Sequence, residues 1–224
     1  MAIPMLIQRK KVKRINIRVT WDGRVVVSAP VGINDELIER VLEKRAIWIA
    51  KKLEEMEARK KHLSQFVDGG SVWLFGKPSV LRVSNGKKDK VSLRDGELLV
   101  RVAGGGTARV KHLVVEWLKK QAIKVVRGKV KKFAKVLGVN PEGIELKEWK
   151  SKWGLCKASA GTLRFNWRLI QLPDRLIDYI VVHELAHLKH HGHGRSFWMA
   201  VAKVLPDWKQ RHRELKEWGG LLIW

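Results

Sequence analysis

The sequence predicts an α+β protein, and three observations predict it. Short alternating apolar runs separated by Gly-containing turns crowd residues 15–102. Apolar residues at helical spacing run from Asn34 and again from Thr107, and Gly104-Gly105-Gly106 forms a flexible break between two styles of sequence. The expected architecture is a small antiparallel sheet with one long helix in residues 1–103, followed by a second, helix-rich module over 107–224. No internal repeat is visible.

Each element has its own signal. Ile15, Ile17 and Val19, then Asp22-Gly23, then Val25 and Val27 alternate about a two-residue turn and predict a hairpin. After Pro30, Leu37, Ile38, Val41, Leu42, Trp48, Ile49, Leu53 and Met56 fall at helical spacing, which predicts one long helix from Asn34, its N-cap, to about His62. Short strands are expected at 72–75, 80–83, 91–93 and 98–102, punctuated by Asn85-Gly86 and Asp95-Gly96. Beyond the glycine run a helix is expected over 107–137, strands over 144–149, 152–157 and 163–167, and helices over 174–191, 195–205 and 207–218.

Composition narrows the class. The chain has 224 residues, 45% of them hydrophobic and 11 of them Trp, which is far richer than a disordered chain and enough for a packed core. Its apolar runs are only a few residues long, against the roughly 20 needed to span a bilayer, so no membrane span is expected. The first residues lack the length and cleavage site of a secretory signal. A single cysteine permits no intrachain disulfide, and a reducing, cytoplasmic setting is expected. The formal charge of +24 implies attraction to polyanions, which by itself names no partner. Lys120, Lys124, Arg127, Lys131 and Lys135 are spaced 4, 3, 4 and 4 apart, forming one cationic stripe on the helix over 107–137. That stripe is either the solvated side of an amphipathic helix or a contact for nucleic acid.

The segment Val181-Val182-His183-Glu184-Leu185-Ala186-His187 carries the chemistry. Two histidines four apart lie one helical turn apart on the same face, so their imidazoles can share one Zn2+, while the adjacent Glu184 can reach a water at that metal. The surrounding Val181, Val182, Leu185, Ala186 and Leu188 mark a buried helix, in which unpaired His and Glu would be costly. A third ligand cannot come from the same continuous helix. Ligand atoms of a tetrahedral site lie about 3.3 Å apart, whereas the next turn is about 5.4 Å further on. Gly192 offers a left-handed helix stop that would let His193 turn back toward the metal. His193 is therefore the expected third ligand, with His190, His191, Cys156 or an acidic residue of the last helices as the alternatives.

These residues also carry a resemblance. Trp153-Gly154-Leu155-Cys156, Leu163-Arg164-Phe165-Asn166-Trp167-Arg168-Leu169, Tyr179 through Leu188, and His193-Gly194-Arg195-Ser196-Phe197-Trp198 together resemble the YgjP-like predicted metal-dependent hydrolases, zincin-like metallopeptidases related to SprT-like and WLM proteins. Arg18-Val19, Val27-Ser28-Ala29-Pro30, Trp48-Ile49 and Phe75-Gly76 are similar to that family's N-terminal module. The chain departs from the family's usual pattern at Lys152, Leu155 and Gly192. The resemblance implies that 107–224 is a zincin-like (minimal metallopeptidase) domain. It also implies that His183, His187 and His193 bind zinc, that Glu184 is the catalytic base, and that the substrate is a peptide or protein. A rival reading is a nucleic-acid-associated protein whose metal site is accessory, or whose proteolysis is confined to proteins held on DNA.

Two further residues are candidates for roles beside the metal. Asn166 lies in a strand just before the active helix, where zincins often present an edge strand to substrate. Tyr179, one turn before His183, could assist an oxyanion. Packing roles are the competing expectation for both, as core packing is for the dense tryptophans of this region.

Overall fold

The computed structural model describes residues 5–20, 24–60 and 64–218. The chain divides into two compact units, Met1–Leu63 and a larger one beginning at Ser64. In the first, β1 (Met5–Lys10), β2 (Asn16–Val19) and β3 (Val25–Pro30) form a sheet in the order β1-β3-β2. β2 pairs antiparallel with β3, as a hairpin should, but β1 pairs parallel with it, so the sheet is mixed rather than antiparallel. The expected Asp22-Gly23 turn lies outside the described residues. Val25, Val27 and Ala29 bury one face of β3 against Ile38 of α1 (Asp35–Lys44) and Ile49 of α2 (Ala46–Lys60).

Asn34 caps α1, its side-chain oxygen accepting from the Leu37 N–H at 3.2 Å. One long helix was expected here, and the structure has two. Arg45 leaves helical geometry and closes α1 with a bond from its N–H to the Leu42 carbonyl, and α2 restarts with Ile49 N–H on the Arg45 carbonyl. The apolar period runs through the break unshifted, which is why the sequence shows none. The expected end at His62 lies outside the described residues.

The second unit opens with a four-stranded sheet of order β4-β5-β7-β6, from β4 (Ser71–Leu74), β5 (Lys77–Asn85), β6 (Lys90–Arg94) and β7 (Glu97–Val102). It too is mixed, with β5 and β7 parallel. α3 (Thr107–Leu137) follows, ended by Gly138 in the left-handed conformation that favours glycine. Val110, Val114, Leu118 and Ala122 pack on the sheet residues Leu81, Leu98, Val100 and Val102. Val126, Val130, Phe133 and Ala134 enter the core around the later helices. Because α3 shares one core with β4–β7, the glycine run at 104–106 is a connection inside this unit, and the boundary between compact units falls before Ser64 instead.

Beyond α3 lie β8 (Gly143–Lys147), β9 (Gly154–Lys157) and β10 (Thr162–Asn166), ordered β8-β10-β9. A 3-10 segment, Trp167–Gln171, leads to α4 (Asp174–Ala186), α5 (Arg195–Val204) and α6 (Trp208–Glu217). The β4–β5 turn is tied to that segment by Phe75 N–H on the Ile170 carbonyl and Gly76 N–H on the Gln171 carbonyl, both at 2.9 Å. A side chain at residue 76 would stand 2.7 Å from Pro173, so Gly76 permits this approach at the head of α4. Among the described residues, no helix is long and apolar enough to cross a membrane.

Candidate metal centre

α4 is the buried helix that its sequence implies. Leu176, Ile177, Val181, Val182 and Leu185 are fully enclosed in the core. The helix was expected to run to His191 and to stop on a left-handed Gly192. It ends at Ala186, with His187 as C-cap, and Gly192 is not left-handed. The last turn tightens instead: Leu188 N–H bonds to the Leu185 carbonyl, and the N–H groups of Lys189 and His190 both bond to the Ala186 carbonyl. The chain turns back five residues earlier than glycine chemistry suggested, and the connection to α5 carries His193.

His183, His187 and His193 converge, each offering one ring nitrogen, with all three nitrogens within 4.8 Å of one another. The Nε2 atoms of His183 and His193 lie 3.1 Å apart, close to the roughly 3.3 Å edge of a tetrahedron with zinc-length bonds. His187 Nδ1 lies 2.9 Å from the His190 carbonyl oxygen, a contact that leaves Nε2 as its ligand atom and fixes the ring. His190 therefore takes part through its backbone. Burial, followed by the neighbouring His187 and His193, pushes the His183 imidazole down to about 3, so the ring is neutral, as a ligand must be. Burial also lowers His187. Phe197 is completely enclosed and lies beneath all three rings, at centroid distances of 4.9, 4.5 and 4.8 Å from His183, His187 and His193. Trp198 stacks on His193 at 5.7 Å. The donor set and its spacing fit a zinc-type ion.

Glu184 is only 7% exposed, and burial raises its carboxyl to about 7, opposed by a hydrogen bond from the Cys156 backbone N–H. β9 approaches so closely that a β-carbon at residue 154 would meet Glu184 Oε1 at 2.6 Å and Cγ at 2.7 Å. Only glycine fits there. Cys156 itself does not join the histidine cluster, and burial beside Glu184 raises its thiol to about 11.

The two secondary candidates are held in different ways. Asn166 is wholly buried. Its amide donates to the carbonyls of Trp149 at 2.7 Å and Lys152 at 3.0 Å, while its side-chain oxygen accepts from Arg168 N–H. It belts down the loop that leads into β9. Its strand, β10, is the central strand of the sheet, and the outer strand beside Glu184 is β9. Tyr179 is buried on α4, its ring 5.8 Å from that of His183 and its hydroxyl 2.9 Å from Nδ1 of His212 on α6. Sequence reasoning did not single out His212, because no motif spacing ties it to the His-Glu-x-x-His helix. Lys120, Lys124, Arg127, Lys131 and Lys135 are all exposed on one side of α3, opposite its buried valines, and none makes an ion pair among the described residues.

Three histidines converging on one point beside an α+β core can hold a metal ion. The family profile described as the YgjP-like metallopeptidase domain matches residues 13–218. The chain belongs to the YgjP-like family, and its domain is a metallopeptidase domain. No curated protein matches it. Among solved structures, the chain is similar to the metallopeptidase zymogen of Pyrococcus abyssi abylysin, at 26% identity over 40% of this chain and 90% of that one, with a TM-score of 0.38. It is also similar to the metallopeptidase zymogen of Methanocaldococcus jannaschii jannalysin, at 23% identity over 41% and 94% of the two chains, with a TM-score of 0.38.

Proposed function

We propose that this protein is a cytoplasmic zinc peptidase in which His183, His187 and His193 hold the metal and Glu184 is the general base. The observation that carries the reading is the convergence of three imidazole nitrogens within 4.8 Å beside a buried carboxylate on the same helix. Bound there, zinc supplies Lewis acidity toward the scissile carbonyl and draws the pKa of a coordinated water toward about 7. Glu184 accepts a proton from the attacking water at a carboxylate oxygen and passes it to the leaving nitrogen. A carboxyl raised to about 7 is suited to both halves of that task. Three protein ligands leave a coordination position open, as catalysis needs and a structural site does not. β9 is an outer strand of its sheet whose Cys156 N–H is taken up by Glu184, so an extended peptide added along it would pair through the other groups of that edge.

Glu184→Gln tests the base. The variant should keep its zinc, measured by elemental analysis, and lose peptide hydrolysis by about 10²- to 10⁴-fold. Full activity in that variant would remove Glu184 from the role.

One observation favours a second activity, nucleic-acid binding. Five cations on one exposed stripe of α3 extend over about 22 Å and form no ion pair among the described residues, which is the footprint of a surface that tracks a phosphate backbone. The peptidase reading does not require it.

A further inference from the structure

The Tyr179–His212 pair is a half-buried polar contact that packing alone does not explain. α6 is anchored to α4 on both sides of His212: Arg211 donates to the Arg175 carbonyl at 2.8 Å, and Glu214 pairs with the Arg175 guanidinium at 2.6 Å. Between these anchors, His212 Nδ1 lies 2.9 Å from the Tyr179 hydroxyl. Tyr179 is 2% exposed, and among the described residues its hydroxyl has no other partner, so its proton goes to Nδ1. A neutral imidazole that accepts at Nδ1 carries its own proton on Nε2. That nitrogen points away from Tyr179 and has no protein partner among the described residues. The ring stands on the same aromatic wall as the histidine cluster, since Trp198 lies 5.7 Å from His193, 6.1 Å from His183 and 6.3 Å from His212.

We propose that His212 is a further catalytic residue, whose Nε2–H donates a hydrogen bond to the carbonyl oxygen of the scissile peptide as that oxygen gains negative charge, with Tyr179 as the positioning residue that fixes the tautomer. No proton is transferred in this role; the donor is strengthened because it is already oriented when the charge develops. The inference rests on the peptidase reading above and adds to it an oxyanion donor supplied by α6.

The test compares His212→Phe, His212→Gln and Tyr179→Phe in the zinc-loaded protein. His212→Phe should lower kcat about 10²- to 10³-fold, with KM changed only a few-fold and zinc content unchanged. His212→Gln can still accept from Tyr179 and donate outward, and it should recover at least about tenfold of that loss. Long-range 1H–15N NMR on the wild-type protein provides a readout independent of activity. His212 should be in the Nε2–H tautomer, and Tyr179→Phe should convert it to a mixture while costing less kcat than His212→Phe. Wild-type kcat in His212→Phe overturns the proposal, as does a Gln variant no better than Phe or an Nδ1–H tautomer in the wild type. Should the Phe variant misfold or lose zinc, the Gln variant and the tautomer decide. A wild-type protein that hydrolyses no peptide overturns the peptidase reading and this role with it, whereas an active wild type with an equally active Phe variant overturns this role alone.

Discussion

Glu184 has almost no freedom, because the β9 backbone presses against it at Gly154 while the Cys156 N–H holds its carboxylate. Gly154→Ala places a methyl group within 2.6 to 2.9 Å of three Glu184 side-chain atoms, and neither a strand backbone nor a buried helix can yield freely. The carboxylate is what must move. Displacement of a reacting group by about 1 Å can cost 10²-fold in rate, so Gly154→Ala should lower peptide hydrolysis by one to two orders of magnitude while the zinc content stays that of the wild type. Steady-state kinetics with elemental analysis on the same sample checks this. Undiminished kcat in the alanine variant would mean that Glu184 tolerates relocation and is not the positioned base. The two histidines and the glutamate were legible because their spacing is chemical. The requirement for glycine at 154 was not, since it arises from the register of a strand thirty residues earlier in the chain.

At the scale of elements, the helix over 107–137 was readable to its ends, because a glycine precedes it, a left-handed Gly138 follows it and its apolar stripe is unbroken. The termination of α4 was less so. It is closed by backbone bonds to Leu185 and Ala186 rather than by a residue with a conformational signature, and the histidine-rich stretch after it reads as more helix. The parallel strand β1 was missed because its side chains are nearly all exposed and show no alternation. α3 also carries the test of the second activity. If its stripe tracks nucleic acid, affinity for duplex DNA should fall steeply with salt, by a slope of about −0.9 for each phosphate neutralised. Changing Lys120, Lys124, Arg127, Lys131 and Lys135 to Gln should flatten that slope and abolish binding at low salt, as fluorescence anisotropy would record. Absence of wild-type binding at low salt would return the stripe to a solvated helix face, and peptide hydrolysis should be the same in both proteins.

Across the whole molecule the charge of +24 is not gathered in one place: residues 1–64 carry +7, 65–110 +4, 111–150 +7 and 151–224 +6. Such a spread serves solubility everywhere and recognition only where cations line up, as on α3. The α+β class was legible because strand and helix periods occupy separate stretches of sequence, but the division into units was not. The glycine run looks like a linker, and only the packing of Val110, Val114 and Leu118 onto β5 and β7 places it inside one core. The second half of α3 enters a separate core that carries α4, so the histidine cluster is built on a buried helix with two further elements folded against it, α5 through Phe197 and α6 through His212. The central claim is that three imidazoles hold a zinc ion with one position open for chemistry. X-ray absorption at the zinc edge of the loaded protein tests it most directly. Three nitrogen neighbours and one oxygen at about 2.0 to 2.1 Å are expected; a sulfur neighbour near 2.3 Å from Cys156, or a fourth protein ligand closing the shell, would contradict an open three-histidine site.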